Sequence, residues 1–362
     1  MSATRTLHLA AEIGGPPRYD AASYVALARL AEHGALDFVT LRDSFERPGP
    51  DALAVLARVA PATERVGLVP TVTTTHTEPF HLAEAVATLD WVSHGRAGWL
   101  VDVSTTTAQA RLFGRRPAAP ASALWREAGE VADVAARLWD SREDGAGNRN
   151  TTLSTGRFID RDTLHHVDFR GATFAVRGPS TVPRPPQGHP VTVVDIVTGR
   201  TPELTETAAR YADVVLIRAG RAEEAAALRG RLRARAAETG RDPGTLRVLA
   251  ALTLDCHDGE LPREPGRVYG RHTAAGAAGA HYRGGPVDLA DLITRWHGDE
   301  AVDGFHLTPV EPHRDLERLV NGTVAVLQHR GLFRTFHPGG TLREHLGLAR
   351  PANRYTTAGG AS

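Results

Sequence analysis

The 362-residue sequence contains no lysine, so all 42 of its basic residues are arginines. Without lysine the chain cannot form a Schiff base with a carbonyl substrate or pyridoxal phosphate, and it has no Walker A lysine for a P-loop. Its single cysteine, Cys256, excludes an internal disulfide and a cysteine-based zinc site. These absences remove several enzyme classes before any motif is considered.

The 42 arginines are balanced by 42 acidic residues, so the formal net charge is zero. A balanced charge gives no support for nucleic-acid binding. No apolar run reaches the length of about 18 residues that a membrane-spanning helix needs, and the first residues lack the pattern of a signal peptide. We therefore expect a cytoplasmic protein that binds neither nucleic acid nor membrane.

Short apolar runs alternate with longer segments of helical period along the chain. The predicted strands are 6–13, 36–43, 65–75, 96–104, 189–197, 213–218, 246–255 and 302–309. The predicted helices that follow them are 23–34, 51–63, 80–93, 123–141, 203–211, 222–238, 288–297 and 313–330. Strict alternation implies parallel strands joined by crossover helices. A doubly wound open sheet would alternate in the same way, but eight such pairs favour a closed (β/α)8 TIM barrel.

Two segments depart from this alternation and are interpreted as insertions. Residues 142–188 contain a polar stretch, two candidate strands (HHVDF and ATFAV) and a proline-rich exit. Residues 256–287 are rich in glycine, alanine and arginine and follow the seventh strand, so we predict a mobile lid loop over the strand ends. We assign residues 1–348 to a single barrel domain and 349–362 to a C-terminal tail.

Polar side chains occur at the carboxyl end of each predicted strand, where TIM barrels place their active sites. They are Glu12, Asp43, Thr71, Thr73, Asp102, Ser104, Asp195, Thr198, Arg218, Asp255, His257 and Thr308. Each one alone could equally be a helix cap or a loop contact. Together they predict a polar-rimmed pocket, and the candidate catalytic residues are Asp43, His76, Asp102 and Asp195.

Two further groups of residues are candidates for ligand binding because of their spacing. His165 and His166 are adjacent on a candidate strand, so their side chains point to opposite faces, and we predict no metal site. Gly199, Arg200 and Thr201 precede a predicted helix, where exposed N–H groups, the positive helix end and a guanidinium suit a phosphate. An ordinary capped helix start has the same sequence features.

Longer motifs carry a resemblance to a known family. They are TEPFHLA (77–83), ATLDWVSHGRAGW (87–99), LQHRGLFRT (327–335), TLREHLGL (341–348) and RPANRY (350–355). With shorter matches such as RDS (42–44), they resemble the bacterial luciferase-like superfamily of flavin-dependent monooxygenases. Within it, they are similar to the branch of nitrilotriacetate monooxygenase, dibenzothiophene-sulfone monooxygenase and pristinamycin synthase.

The resemblance implies a homodimeric βα barrel that takes reduced FMN from a separate flavin reductase. With dioxygen it would oxygenate a small organic substrate, while the protein holds the flavin and shields it from water. The family's flavin contacts match Asp43, Thr71, Thr73, Gly199 and Thr201, and Ser104 and Arg200 are further candidate flavin-binding residues. In the family, Asp43 corresponds to an aspartate beside the flavin ring, and 199–201 to the segment that binds the phosphate.

Other positions depart from the family pattern. Leu100 replaces an asparagine after the fourth strand, Leu124 and Trp125 stand in a phosphate-binding segment that normally has an arginine and a tyrosine, and Leu204 replaces a glycine. A charge-assisted hydrogen bond is worth about 1.5–3 kcal/mol, so losing two could weaken FMN about a hundredfold. Arg126 or the arginine of 199–201 could substitute.

Three readings follow. The first is a two-component monooxygenase that uses reduced FMN and dioxygen on a small organic substrate. The second is an enzyme that uses deazaflavin or no cofactor, in which Asp43, His76, Asp102 and Asp195 are general acids and bases. The third is a non-catalytic binding or partner subunit.

Overall fold

The structure is a computed structural model, and it describes residues 5–14, 19–46, 48–145, 161–196, 201–256, 269–272 and 278–356. Its strands are β1 His8–Glu12, β2 Phe38–Leu41, β3 Gly67–Thr73, β4 Gly98–Asp102, β5 Phe169–Arg170, β6 Ala175–Val176, β7 Val191–Asp195, β8 Val214–Ile217, β9 Arg247–Cys256, β10 Tyr269–His272, β11 Ala278–Gly284 and β12 Gly304–Pro309. Parallel pairing runs in the order β1-β2-β3-β4-β7-β8-β9-β12 and closes from β12 to β1. The predicted eight-stranded TIM barrel is confirmed.

The described helices lie outside this barrel. They are α1 Ala21–His33, α2 Ala52–Val59, α3 Pro79–Val92, α4 Thr107–Phe113, α5 Ala121–Asp140, α6 Pro202–Tyr211, α7 Ala222–Glu238, α8 Pro286–Gly298, α9 Pro312–Arg318, α10 Ala325–His329 and α11 Leu342–His345. A π-helical stretch, Leu319–Val324, joins α9 to α10 within the helix predicted at 313–330. None of the described helices is both long and apolar enough to span a membrane.

Below its mouth the barrel interior is mostly apolar. Its buried residues include Ala10, Phe38, Val69, Leu100, Val191, Val193, Val214, Leu216, Leu249 and Ala251. The alternate residues of the same strands, such as Leu9, Val39 and Val215, belong to the larger core between strands and helices. Both faces of each strand are therefore buried, as expected for nearly continuous apolar strands.

The N-terminal end of the barrel is closed by α11, a helix that the sequence pattern did not predict. Thr341 and Glu344 form a capping box at its start. Leu342 belongs to the interior cluster, and its N–H donates to Gly95 O at 3.0 Å. A Cβ on Gly67 would lie 2.6 Å from Leu342 Cδ1, so glycine is required for this close approach. The TLREHLGL motif thus closes the N-terminal end of the barrel.

The two insertions differ from one another in structure. In 142–188 the two candidate strands form the short antiparallel hairpin β5–β6. In 256–287 the prediction of a loop is wrong for part of the segment, because β10 and β11 form a hairpin. β11 pairs in parallel with the second half of β9, so the barrel sheet extends there by two strands. Residues 257–268 and 273–277 of the predicted lid lie outside the described residues.

Part of the segment assigned to a C-terminal tail is packed against the barrel. Asn353 is buried, and its Nδ2 donates to Asp140 O at 2.8 Å. Arg184 Nη2 donates to the carbonyl of residue 351 at 2.8 Å. Tyr355 stacks on His165 with ring centroids 4.1 Å apart. Residues 351–355 therefore belong to the folded body.

One buried arginine holds two turns together at the N-terminal end of the barrel. Arg96 is 2% exposed and donates to Ser93 O, Val66 O and Ala60 O, and to both the hydroxyl and the carbonyl of Thr63. These partners lie in the turns before β3 and β4, so the guanidinium fixes the entry of two adjacent strands.

We expect Arg96→Ala to lower the free energy of unfolding by at least about 3 kcal/mol, because it leaves several buried oxygens without donors. Urea denaturation measures this value. The matched control is Arg29→Ala, since Arg29 is exposed and makes one bond, to Ala62 O, in the same region; its effect should stay near about 1 kcal/mol. Equal effects of the two substitutions would contradict the role of Arg96.

Candidate active site

The mouth of the barrel is lined by polar side chains that follow its apolar interior. Successive residues of a strand point to opposite faces. Val193 and Leu216 point into the barrel, so Asp195 and Arg218, two positions later, point into the mouth. By the same alternation the inward residues at this level include Glu12, Arg42, Thr73, Asp102, Asp195, Arg218 and Thr308. The predicted polar pocket at the strand ends thus has a structural basis.

Arg42 bridges this mouth. Its Nε donates to Glu12 Oε2 at 3.0 Å, and its Nη2 donates to Asp195 Oδ2 at 2.5 Å. Burial alone would lower the pKa of Arg42, but the two carboxylates outweigh this effect and raise it. Because β2 and β7 are three strands apart in the closed barrel, the ion pairs connect opposite sides of the mouth. A cavity of about 290 Å³ opens beside Arg42, between the segments that follow β1, β2 and β12.

A fully buried histidine lies in the same electrostatic environment. His306 on β12 is inward and shares a hydrogen bond of 2.8 Å with Thr40 Oγ1, while its Nδ1 has no partner among the described residues. Burial and the nearby Arg42 lower the pKa of His306 to about 3. The ring is therefore neutral at physiological pH.

Asp43 occupies the outward position next to Arg42. Its Oδ2 accepts a hydrogen bond of 2.8 Å from the backbone N–H of Ala52, the first residue of α2. This is the helix-capping role that the sequence analysis considered for strand-end residues. Asp43 also lines the cavity beside Arg42, so both residues lie at this end of the barrel.

Three of the predicted site residues present polar atoms that have no hydrogen-bond partner among the described residues. These atoms are Thr71 Oγ1, Ser104 Oγ and both ring nitrogens of His76, and all are buried. His76 has a positive φ of 69° and stacks on Phe113 with centroids 4.7 Å apart. Burial, followed by Arg116, lowers the pKa of His76. These atoms are available to bond to a bound ligand or to water.

Asp102 is the inward carboxyl at the end of β4, beside Thr73 of β3 in the strand register. Burial raises the pKa of Asp102, and the charges of Asp195 and Asp43 act in the same direction. A carboxyl group with a raised pKa that faces a pocket is suited to holding or releasing a proton.

Of the predicted phosphate site, the structure describes only Thr201 and the helix that follows it. Thr201 accepts a hydrogen bond from Leu204 N, so it caps α6 as in an ordinary helix start. Glu203 lies in the first turn of α6, its Oε2 is buried without a partner, and its Oε1 is 3.7 Å from Arg126 Nη2. The helix end that would attract a phosphate therefore carries a carboxylate, and Arg126 is already paired. Gly199 and Arg200 lie outside the described residues.

The positions that depart from the family pattern here are filled by packing. Leu124, Trp125 and Leu204 are buried at 1–2% exposure in the contact between α5 and α6. The Trp125 carbonyl accepts a hydrogen bond of 2.9 Å from the hydroxyl of Thr207. These side chains belong to the core, so these three positions offer no polar side chain to a phosphate.

The two adjacent histidines do not converge. His165 Nε2 lies 2.7 Å from Glu143 Oε1, whereas His166 Nδ1 lies 3.0 Å from the carbonyl of Gly178. Within the described residues, no three His, Cys, Asp or Glu side chains come together as metal ligands.

The closed βα barrel with polar side chains at its mouth has the architecture of a TIM-barrel enzyme. The sequence pattern of the luciferase-like monooxygenases matches residues 5–261, and the chain belongs to that family. It is 32% identical to nitrilotriacetate monooxygenase component A of Aminobacter aminovorans, over 91% of this chain and 90% of that protein. It is 31% identical to N-acetyl-S-(2-succino)cysteine monooxygenase of Bacillus subtilis (strain 168), again over 91% and 90%.

Solved structures agree on the fold. EDTA monooxygenase from Chelativorans sp. BNC1 superposes with a TM-score of 0.79 at 22% identity, covering 96% of this chain and 99% of that one. The family resemblance and the barrel predicted from the sequence are confirmed.

Sequence reasoning missed three features of the site. Arg42 lies within the RDS motif, in which the family resemblance selects Asp43, whereas the alternation of inward residues selects Arg42. His306 follows the same alternation on the last strand. Glu203 directly follows the predicted phosphate segment, and its charge alone would have argued against a phosphate there.

The neutral state of His306 gives the fold a dependence on pH. An unfolded histidine has a pKa near about 6.5, whereas that of His306 in the folded chain is about 3. The unfolded chain therefore binds the proton first, and stability falls as the pH decreases from about 6.5 toward 3, by up to about 1.4 kcal/mol per pH unit from this group. Buried His345, with a pKa lowered to about 4, acts in the same direction.

We expect His306→Gln to flatten the dependence of the unfolding free energy on pH between about 6 and 4, relative to the wild type. Glutamine keeps a polar group toward Thr40 without binding a proton. Urea denaturation at several pH values measures the slope. The control is His33→Gln, because His33 is exposed on α1 and its removal should leave the slope unchanged. A wild-type slope in His306→Gln would contradict this account.

Proposed function

We propose that this chain is the oxygenase component of a two-component, flavin-dependent monooxygenase that acts on a small organic substrate. The observation that carries the proposal is the set of buried, unpartnered polar atoms of Thr71, Ser104 and His76 at the mouth of a luciferase-like barrel. We further propose that reduced flavin comes from a separate reductase, that the chain forms a homodimer and that it is cytoplasmic, as the family resemblance implies.

In this proposal the flavin is held at its ring and not at its phosphate. The unpartnered atoms of Thr71, Ser104 and His76 can bond to the polar edge of a ring system. The other end is closed to a phosphate by Glu203 and the packed side chains between α5 and α6. Because the described residues do not fit the whole of FMN, we assign the flavin to a weakly bound, exchangeable reactant.

The chain's own groups would order and protect the mouth. Arg42 fixes the positions of Glu12 and Asp195, so these carboxylates cannot turn toward a substrate without losing an ion pair. Asp102 has the raised pKa that suits proton transfer. Phe45 packs edge-on against Phe113, with ring centroids 4.7 Å apart, and Phe113 in turn stacks on His76.

The activity is tested with the purified chain, a flavin reductase, NADH, FMN and catalase, over a panel of small acids, amines and sulfides. We expect oxygenated or dealkylated product, detected by mass spectrometry, that depends on both proteins. Asp102→Asn should lower the product yield about a hundredfold without changing NADH oxidation by the reductase. Arg231→Gln, on the exposed face of α7, is the control. Wild-type yield in Asp102→Asn would remove Asp102 from the chemistry, and no product from any substrate would contradict the proposed function.

The cofactor proposal predicts that the phosphate contributes little. Oxidised FMN and riboflavin should bind with dissociation constants within about threefold of each other, both above about 10 μM. Glu203→Gln should tighten FMN about threefold or more by removing a negative charge at the helix N-terminus, and should leave riboflavin unchanged. The control is Glu206→Gln, since Glu206 pairs with Arg210 and Arg235 on the exposed side of α6.

Flavin fluorescence measures these constants. FMN binding at least tenfold tighter than riboflavin in the wild type would show a functional phosphate site. In that case Arg200 and Thr201 would carry it, and Arg200→Ala would weaken FMN by at least about 1.5 kcal/mol.

A further inference from the structure

The positive charge of Arg218, in the mouth, has no described carboxylate within hydrogen-bond distance. Arg218 follows β8, points into the barrel, and its side chain is 25% exposed. Its closest acidic contact is Asp195 Oδ2 at 3.9 Å, and with the described residues it makes no hydrogen bond. A guanidinium has five N–H donors, so most of its bonding capacity faces the open mouth.

The nearby carboxylates are already engaged elsewhere. Asp195 Oδ2 lies 2.5 Å from Arg42, much closer than its 3.9 Å from Arg218. Glu12 Oε2 accepts from Arg42 as well, and from Thr308 Oγ1 at 3.4 Å. Movement of Asp195 or Glu12 toward Arg218 would break the bridge across the mouth.

The remaining donors of Arg218 suit a planar anion. A carboxylate can accept two parallel N–H···O bonds from one guanidinium, which neither an amide nor an alkyl group can do. A cationic ligand beside Arg218 would be repelled by its guanidinium, because the closest carboxylate oxygen, Asp195 Oδ2, is 3.9 Å away and bonds to Arg42. A neutral ligand that closed the mouth would leave the Arg218 charge away from water and unpaired, which is unfavourable. Burial already lowers the pKa of Arg218, and a bound anion would relieve this effect.

We propose that Arg218 binds a carboxylate of the substrate, so that the enzyme takes small organic acids. Calling the bound carboxylate a substrate rests on the proposed function, but its binding to Arg218 needs neither flavin nor oxygen. The same guanidinium chemistry would also suit the phosphate of a flavin. The two sources of the anion are therefore separated in the experiment.

The experiment is isothermal titration of the flavin-free full-length chain with succinate, tricarballylate and the neutral analogue succinamide. We expect the wild type to bind at least one of the carboxylates at millimolar concentration or better, and succinamide at least about tenfold more weakly. Arg218→Gln should weaken the carboxylate about tenfold or more and leave succinamide unchanged. Arg218→Lys, which keeps the charge beside Asp195 but not the fork of donors, should lie between them.

The control is Arg231→Gln, which removes an exposed arginine of α7 and should bind every probe as the wild type does. Circular dichroism and melting temperature establish that the Arg218 variants are folded, and if Arg218→Gln is not, the comparison of succinate with succinamide in the wild type decides. Wild-type affinity in folded Arg218→Gln, or no carboxylate binding below about 20 mM, would overturn the inference.

A second titration separates the source of the anion. If Arg218→Gln weakened FMN about tenfold but left riboflavin and succinate unchanged, the residue would bind a flavin phosphate, and the inference would be overturned. If the variant lost succinate while both flavins bound as before, the inference would be supported. A chain that turned over only neutral substrates would retain the proposed function and refute the carboxylate site, so the two failures are distinguishable.

Discussion

The alternation of side chains along the barrel strands is the constraint on which the site depends. It places Phe38, Thr40 and Arg42 on the inner face of the second strand and its continuation, and turns Asp43 outward to α2. A shift of one residue would exchange the arginine for the aspartate and put three carboxylates together without a cation between them. Eight strands with both faces buried leave no freedom for such a shift. The charge distribution of the mouth is thus decided by the packing of the apolar layer below it.

Arg42, placed on the inner face by this alternation, offsets the repulsion between two neighbouring carboxylates. Two inward carboxylates, Glu12 and Asp195, would repel each other across a mouth of low dielectric if no cation lay between them. A buried ion pair usually adds little net stability, because desolvation offsets the attraction, but removing one partner is strongly destabilising. The bridge is therefore better explained as a device that fixes the positions of groups on opposite strands. With Arg218, the formal charges of Glu12, Asp195, Arg42 and Arg218 sum to zero. Arg218 itself makes no hydrogen bond with the described residues.

The barrel was predictable because its signal is repeated. Eight apolar runs and eight helical periods each gave a strand or helix within a few residues of the observed limits, as at 302–309 against Gly304–Pro309. Short elements lacked that signal. The helix α4 is seven residues long, and β11 is a glycine- and alanine-rich strand held by its pairing with β9. Local pattern cannot reveal an element that tertiary contacts stabilise. The Arg42 bridge was hidden for a similar reason, since its partners are 30 and 153 residues away in the chain.

The two ends of the proposed flavin site differ in their packing. At the proposed ring end, buried polar atoms of Thr71, Ser104 and His76 have no partner among the described residues, and such atoms destabilise the protein unless a ligand or water bonds to them. The phosphate end has replaced polar groups with Leu124, Trp125 and Leu204, which stabilise the empty protein by packing between α5 and α6. A fold that had lost its ligand altogether would gain from filling both ends. Retaining unpartnered atoms at one end therefore argues for a ligand that still binds there, and packing the other end argues that its affinity no longer depends on a phosphate. A flavin that binds and leaves in every turnover needs only moderate affinity. Contact with its ring alone gives such an affinity, whereas tight contact with both ring and phosphate would slow its release.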